Sequence, residues 1–263
     1  MRTIILGDVH LGSPLCRASQ LLDMLHRVPF DRLVLNGDIF DDLNFRRMRA
    51  KHWAILDRLR LLGDEREIVW ICGNHDGSPE ALKRLLGVSV HREFTFTYRG
   101  ELVWVVHGDQ FDDFNRATRG LRGLREKFYG FAIWFDVPRK TAIQWAQRSS
   151  VIFARAAAKV KKKAVARGQE MGAKYVVVGH THHRELEILE GVTFVNPSSW
   201  LASNPSYVLF DEAEHAPRLV IMGARSPRSI GKTMRTRVRK ASRDLTKRLS
   251  RDSSRKAPRR RGH

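Results

Sequence analysis

Seven side chains able to bind a metal ion stand in five short clusters: Asp8 and His10, Asp38, Asn74, His107, and His180 with His182. Their mixture of carboxylate, amide and imidazole donors suits divalent Mn, Fe, Zn or Mg, and it lacks the thiolates of a structural zinc site. Two cations about 3.5–4 Å apart can clamp the oxygens of a phosphoryl group and activate a water for in-line attack near neutral pH. A bridging carboxylate would hold such a pair together while cancelling part of its charge. Neutral imidazoles and amides would complete the shells without quenching Lewis acidity.

Each cluster closes a short apolar run and opens onto a glycine or another turn residue. Ile4-Ile5-Leu6 leads to Gly7-Asp8-Val9-His10, and Leu33-Val34-Leu35 to Asn36-Gly37-Asp38. The runs ending at Cys72, Val106 and Val178 lead to Gly73-Asn74-His75-Asp76, His107-Gly108-Asp109 and Gly179-His180-Thr181-His182. Open α/β sheets bind ligands at the carboxyl ends of successive strands. A single Asp-x-His or Gly-Asp reads equally well as a cap or a turn. Gly-Asn-His-Asp and Gly-His-Thr-His are sharper, because several ligand-type side chains crowd a glycine that permits a tight backbone. All five together, each after a β-like run, predict one shared metal site. His75 stands apart: an imidazole with a pKa of about 6.5 suits proton donation, and equally a structural role.

The intervening segments predict the elements that position these residues. Residues 18–28 read as a helix with Leu21, Leu22, Leu25 and Val28 on one face. Residues 46–62 read as another, with Met48, Trp53, Ile55, Leu56, Leu59 and Leu62 at helical spacing. Pro79 opens a short helix through Leu86, and residues 88–106 read as paired strands turned at Arg99-Gly100. After Gly179 the pattern is β-rich, at Glu185 to Leu189, Val192 to Asn196, Tyr207 to Phe210 and Leu219 to Met222. This alternation argues for an α/β layer architecture without internal repeats.

The five clusters, in this order, resemble the full signature of the calcineurin-like metallophosphoesterases, over about residues 1–212. The resemblance implies a two-sheet β-sandwich of α/β class, flanked by helices, with a binuclear metal centre between the sheets. It implies that Asp8, His10 and His182 hold one ion, that Asn74, His107 and His180 hold the other, and that Asp38 bridges them. His75, paired with Asp76, would match the family's histidine beside the phosphate, which protonates the leaving oxygen or stabilises developing charge. Of the cations this set accommodates, Mn is the first expectation.

Residues 113–171 form an insertion that a bare catalytic core does not need. It reads as largely helical and aromatic, with Phe128, Tyr129, Phe131, Trp134, Phe135, Trp145 and Phe153 among interleaved arginines and the Lys159–Lys163 block. Two readings stay open: a helical hairpin packed on the core, or a cap over the site with apolar and basic surfaces. A helical cap after His-Gly-Asp, His107 to Asp112, and Asn196-Pro197-Ser198-Ser199-Trp200 are similar to the UDP-2,3-diacylglucosamine diphosphatases. That branch implies hydrolysis of a lipid-linked nucleotide pyrophosphate, releasing UMP and a lipid phosphate. The chain departs from it at His75, where those enzymes commonly carry arginine.

The 263 residues suffice for a sizeable core, and two cysteines, Cys16 and Cys72, are too few for a disulfide scaffold. No signal-peptide core or membrane-spanning run is evident, so a cytoplasmic protein is expected. The formal charge of +20 is concentrated in residues 224–263, whose 16 Lys or Arg and two Asp give +14. There Ile230, Met234, Val238, Ala241, Leu245 and Leu249 recur every three or four residues, predicting an amphipathic helix before a disordered basic end. Such a tail suits an anionic membrane surface, nucleic acid by counterion release, or docking on its own protein. A lipid-linked substrate favours the membrane, with peripheral attachment to its inner face. The tail lacks Trp, Phe and Tyr, which weakens interfacial anchoring and base stacking alike. The alternatives to a diphosphatase are a general phosphodiesterase or nuclease using the tail, and a non-catalytic metal-binding scaffold. Complete retention of the ligand residues argues against the scaffold. The domain organisation expected is 1–223 for the metallophosphoesterase domain and 224–263 for the tail.

Overall fold

The computed structural model describes residues 1–112 and 151–223. The aromatic part of the insertion, 113–150, and the basic tail, 224–263, lie outside the described residues.

The elements run β1 (Arg2–Leu6), α1 (Ala18–Arg27), β2 (Arg32–Asn36), α2 (Ala50–Glu65), β3 (Glu67–Ile71), α3 (Pro79–Leu86) and β4 (Ser89–His91). They continue with β5 (Glu93–Tyr98), β6 (Glu101–Val106), α4 (Val151–Glu170), β7 (Tyr175–Val178), β8 (Glu185–Leu189), β9 (Val192–Asn196), β10 (Ser206–Asp211) and β11 (Arg218–Ile221). One sheet has six strands in the order β11-β10-β1-β2-β3-β4, the other five in the order β5-β6-β7-β9-β8. β1 to β4 are mutually parallel, as are β6, β7 and β9. This is the two-sheet α/β sandwich that the motifs imply.

The alternation of side chains along each strand builds three apolar layers. Ile5, Val34, Val69 and Ile71 meet Val103, Val105, Val177 and Val195 between the sheets. Ile4, Leu6, Leu33 and Leu35 face the other way, onto Leu21, Leu25, Ile55, Leu56 and Leu59 of α1 and α2. Trp104, Val106, Val176 and Val178 cover the outer face of the second sheet and receive Val160, Ala164 and Val165 of α4. Each fully buried aliphatic chain contributes about 1.5–3 kcal/mol relative to exposure, so the layers hold the strand ends in fixed relation. The last part of the expected insertion, α4, is therefore a layer of the sandwich. In its lysine block, Lys161 pairs at 3.0 Å with both Glu185 and Glu187.

Two boundaries differ from the sequence expectation. The helix expected over 46–62 is a 3-10 turn at Phe45–Arg47, an extended Met48, and then α2 from Ala50. The start is set by His52, whose Nδ1 accepts the backbone N–H groups of Arg49 and Gly12, each at 3.2 Å. With that register the buried face carries His52, Ile55, Leu56, Leu59 and Leu62, and Trp53 is left 44% exposed. The paired strands are β5 and β6 alone. Residues 89–91 instead extend the first sheet beside β3, so the chain crosses between sheets at Arg92.

Candidate metal centre

All seven expected ligands lie just beyond the carboxyl ends of β1, β2, β3, β6 and β7. Five of them have left-handed backbones: Asp8 (φ 52°), His10 (53°), Asp38 (49°), His180 (61°) and His182 (55°). Such conformations cost on the order of 1–3 kcal/mol each and persist only where the surroundings impose them. Here they turn consecutive polar side chains toward one point.

Two groups converge there, Asp8 with His10 and His182, and Asp38 with His107 and His180. Within each group the ligand atoms lie within 4.8 Å of one another. In the first, His182 Nε2 is 3.1 Å from Asp8 Oδ1 and 3.3 Å from His10 Nε2. In the second, His107 Nε2 is 3.4 Å from Asp38 Oδ2. Asp8, His10, Asp38 and His107 are buried. Gly73 is required by proximity, because a Cβ there would overlap the Asp38 carboxylate.

The electrostatics follow from that burial. Desolvation opposes the Asp38 charge, but His107, then His75 and His10, outweigh it and hold the carboxyl well below its usual range. Asp8 is likewise lowered, burial being overcome by His182 and His107. Burial alone would lower His107, yet Asp38 and Asp8 raise it to about 10, and Asp8 raises His182.

The donors fit a pair of cations. Asn74 Oδ1 is buried without a hydrogen-bond partner, although such atoms are costly to strand, and His107 Nε2 faces the Asp38 carboxylate at 3.4 Å. A divalent ion would give the Asn74 oxygen a partner and would join Asp38 to His107. Buried carboxylates facing lone-pair nitrogens, with few thiols near, are a hard-cation donor set.

His75 and Asp76 do not pair with each other. The backbone N–H of His75 donates to Asp38 Oδ1 at 2.8 Å, and its Nδ1–H donates to the Asp41 carbonyl at 2.7 Å. Asp76 points elsewhere and accepts the N–H groups of Ile39 (2.9 Å), Phe40 (3.1 Å) and Gly73 (3.0 Å), and Trp70 Nε1–H at 3.2 Å. It ties the Asp38 loop to the Asn74 loop. Burial, then the Asp38 charge, push its carboxyl upward.

Three further groups support the site. Asp41 Oδ1 lies 3.4 Å from His10 Nδ1, and its Oδ2 pairs with Arg47 at 2.6 Å. Asp112 Oδ2 lies 3.0 Å from His180 Nε2. Each follows a ligand motif at short distance, Asp41 three residues after Asp38 and Asp112 five after His107, which is the sequence signal that could have found them. The Asn196–Trp200 segment clamps the ligand loops: Asn196 Nδ2 donates to the Gly179 carbonyl (2.9 Å), Ser198 Oγ to the His182 carbonyl (3.0 Å) and Ser199 Oγ to the Asp8 carbonyl (3.0 Å).

Solved structures of low sequence identity match the chain along most of its length. YfcE, a phosphoesterase from E. coli, matches with a TM-score of 0.50 at 15% identity, over 86% of this chain and 96% of its own. Wild-type Vps29 from Entamoeba histolytica complexed with zinc scores 0.47 at 16% identity, over 86% and 95%. A novel archaeal phosphodiesterase scores 0.46 at 16% identity, over 84% and 100%. No curated protein matches the chain in sequence. The sequence profile described as calcineurin-like phosphoesterase matches residues 1–184. The chain thus belongs to the calcineurin-like phosphoesterase family and is a metal-dependent phosphoester hydrolase.

Proposed function

We propose that the protein hydrolyses a phosphodiester or pyrophosphate bond at a binuclear metal centre. The observation that carries this is the convergence of the two ligand groups, each with its candidate donor atoms within 4.8 Å of one another. Asp8, His10 and His182 would hold one cation, Asn74, His107 and His180 the other, and Asp38 both. The cation pair, when bound, supplies charge stabilisation to the phosphoryl oxygens and activates the attacking water.

The chain's own groups do the rest. The Asp38 carboxylate is steered by the His75 N–H on Oδ1, so its Oδ2 is directed toward the His107 side. The His75 ring is fixed through Nδ1–H on the Asp41 carbonyl, leaving Nε2 to meet the leaving oxygen. Nε2 is then the atom placed to protonate the leaving oxygen. Asp76 is a loop-organising residue in this reading, acting on His75 only through the backbone it holds.

The leading substrate is a lipid-linked nucleotide pyrophosphate of the UDP-2,3-diacylglucosamine kind. Support comes from the likeness at residues 107–112 and 196–200. The Asn196–Trp200 contacts are with ligand loops, so that segment supports the metal geometry more directly than the substrate. Mn is the proposed native metal, and a cytoplasmic enzyme resting on the inner membrane face through 224–263 is the proposed setting. Among the described residues no helix is long and apolar enough to cross a membrane. The nuclease reading rests on the tail charge alone. Assay of the Mn-loaded full chain on a lipid-linked UDP-sugar, single-stranded DNA and single-stranded RNA separates the two. Release of UMP with both strands intact supports the proposal, and cleaved strands without UMP would overturn the substrate.

A further inference from the structure

The ligand histidines differ in which ring nitrogen the protein occupies. His107 donates Nδ1–H to the Asn36 carbonyl at 3.0 Å, which leaves Nε2 facing Asp38. His10 turns Nδ1 toward Asp41 and Nε2 toward His182. His180 is reversed: its Nε2 lies 3.0 Å from Asp112 Oδ2. An ionised carboxylate only accepts, so Nε2 of a neutral His180 carries the proton and Nδ1 the lone pair.

We propose that Asp112 is the positioning residue that fixes His180 in the Nε2–H form and thereby presents Nδ1 to the second cation. The inference rests on the two-cation reading above and adds a residue to it. A carboxylate behind a metal-binding imidazole sets its tautomer, holds its plane and raises its basicity.

The local structure makes Asp112 a rigid support. Gly108 has φ 109°, and a Cβ there would stand 2.6 Å from Val178 Cγ1, so only glycine starts this turn unstrained. The Phe111 N–H then donates to the Gly108 carbonyl at 3.0 Å, and the Asp112 N–H to the Asp109 carbonyl at 3.2 Å. The Phe111 ring stands edge-on to Trp104 with centroids 6.2 Å apart, anchoring the turn in the layer under α4. The Asp112 side chain is 15% exposed, shielded enough for its charge to act strongly on His180. On the opposite side the His180 backbone N–H donates to both Asp8 oxygens, at 3.1 and 3.2 Å. His180 is held at its backbone by one candidate ligand and at its ring by Asp112.

The test uses the full chain, labelled with 15N-histidine and loaded with Zn2+, read by long-range proton–nitrogen correlation and by equilibrium dialysis of zinc. The expected wild-type result is two bound ions, with His180 protonated at Nε2 and coordinated through Nδ1. The nearly isosteric Asp112→Asn should weaken one of the two zinc affinities by about tenfold or more and leave the other unchanged. Asp112→Glu, which restores the charge, should recover most of the loss. Coordination of wild-type His180 through Nε2, or unchanged affinities in Asp112→Asn and Asp112→Leu alike, would overturn the role of Asp112 while two bound ions keep the metal centre standing. A wild-type protein that binds fewer than two ions, with Asp38→Ala no different, would overturn the metal centre and the proposal together.

Discussion

The Nδ1–H of His75 is fastened to the backbone carbonyl of Asp41 at 2.7 Å, so the ring is oriented by a loop from β2 and not by its neighbour Asp76. Orientation by a carbonyl leaves Nε2 as the atom that gives up a proton. His75→Ala should therefore lower kcat by about 10²–10⁴-fold on substrates with a basic leaving oxygen. The loss should be much smaller with p-nitrophenolate, which needs no proton. Metal content should stay at the wild-type value. Rates on the two substrate types, alongside metal analysis, check this; equal losses on both would remove His75 as the proton donor.

Asp76 makes the opposite prediction. Four N–H donors from three segments end on its carboxylate, so Asp76→Ala strands them and should cost at least about 2 kcal/mol of stability. Asp76→Asn should keep part of that stability and leave the pH–rate profile in place. A profile displaced in Asp76→Asn would return Asp76 to a catalytic pairing with His75.

The metal-free protein should be most stable in a mildly acidic window. His107 is raised to about 10 from an ordinary 6.5, and His182 is raised too, so their contribution is complete below pH 6.5 and is lost as pH rises toward 10. Asp8 and Asp38 are lowered below 3.8, so their contribution is present above that pH and is lost as pH falls through their folded values. Thermal melting in chelator should peak between these limits and decline toward pH 10. Cation binding displaces the same protons, so Mn affinity should rise over the alkaline range and binding should release protons to buffer. A melting temperature that climbs from pH 6.5 to 9 without metal would contradict both ion pairs.

Gly73→Ala should act on the bridge without replacing a ligand. The added methyl meets the Asp38 carboxylate, which is also held by His75, so one of them must move. The expected outcome is weaker uptake of at least one ion and a fall in kcat on the order of 10²-fold, as for a misplaced catalytic group. Wild-type metal uptake in this variant would show that Asp38 has room to spare.

The ligand positions were legible because each is short-range: a β-like run, a glycine, then an Asp, Asn or His. The apolar runs before them likewise marked the strands Arg2–Leu6, Arg32–Asn36 and Tyr175–Val178. The partners of those ligands were not legible, because they arise from tertiary approach. Asp41 and Asp112 follow ligand motifs at short distance, but in sequence they resemble ordinary turn aspartates, and only folding shows which histidine each meets. Adjacency suggested that His75 and Asp76 act together, yet consecutive residues of a tight loop point different ways. The same limit explains Trp53, which fits a helical stripe on paper but is left outside once His52 sets the start of α2. The role of Asn196–Trp200 as a clamp is also invisible until β9 lies beside β7.

In the proposed centre Asp38 joins two cations into one hydrolytic site. The most direct measurement counts Mn bound per chain by equilibrium dialysis, with hydrolysis of bis(p-nitrophenyl) phosphate followed on the same samples, for wild type and Asp38→Ala. The wild type should bind two ions and turn over, and the variant should bind fewer than two ions with a rate lower by about 10²–10³-fold or more. Equal metal content and equal rates in the two proteins would contradict it.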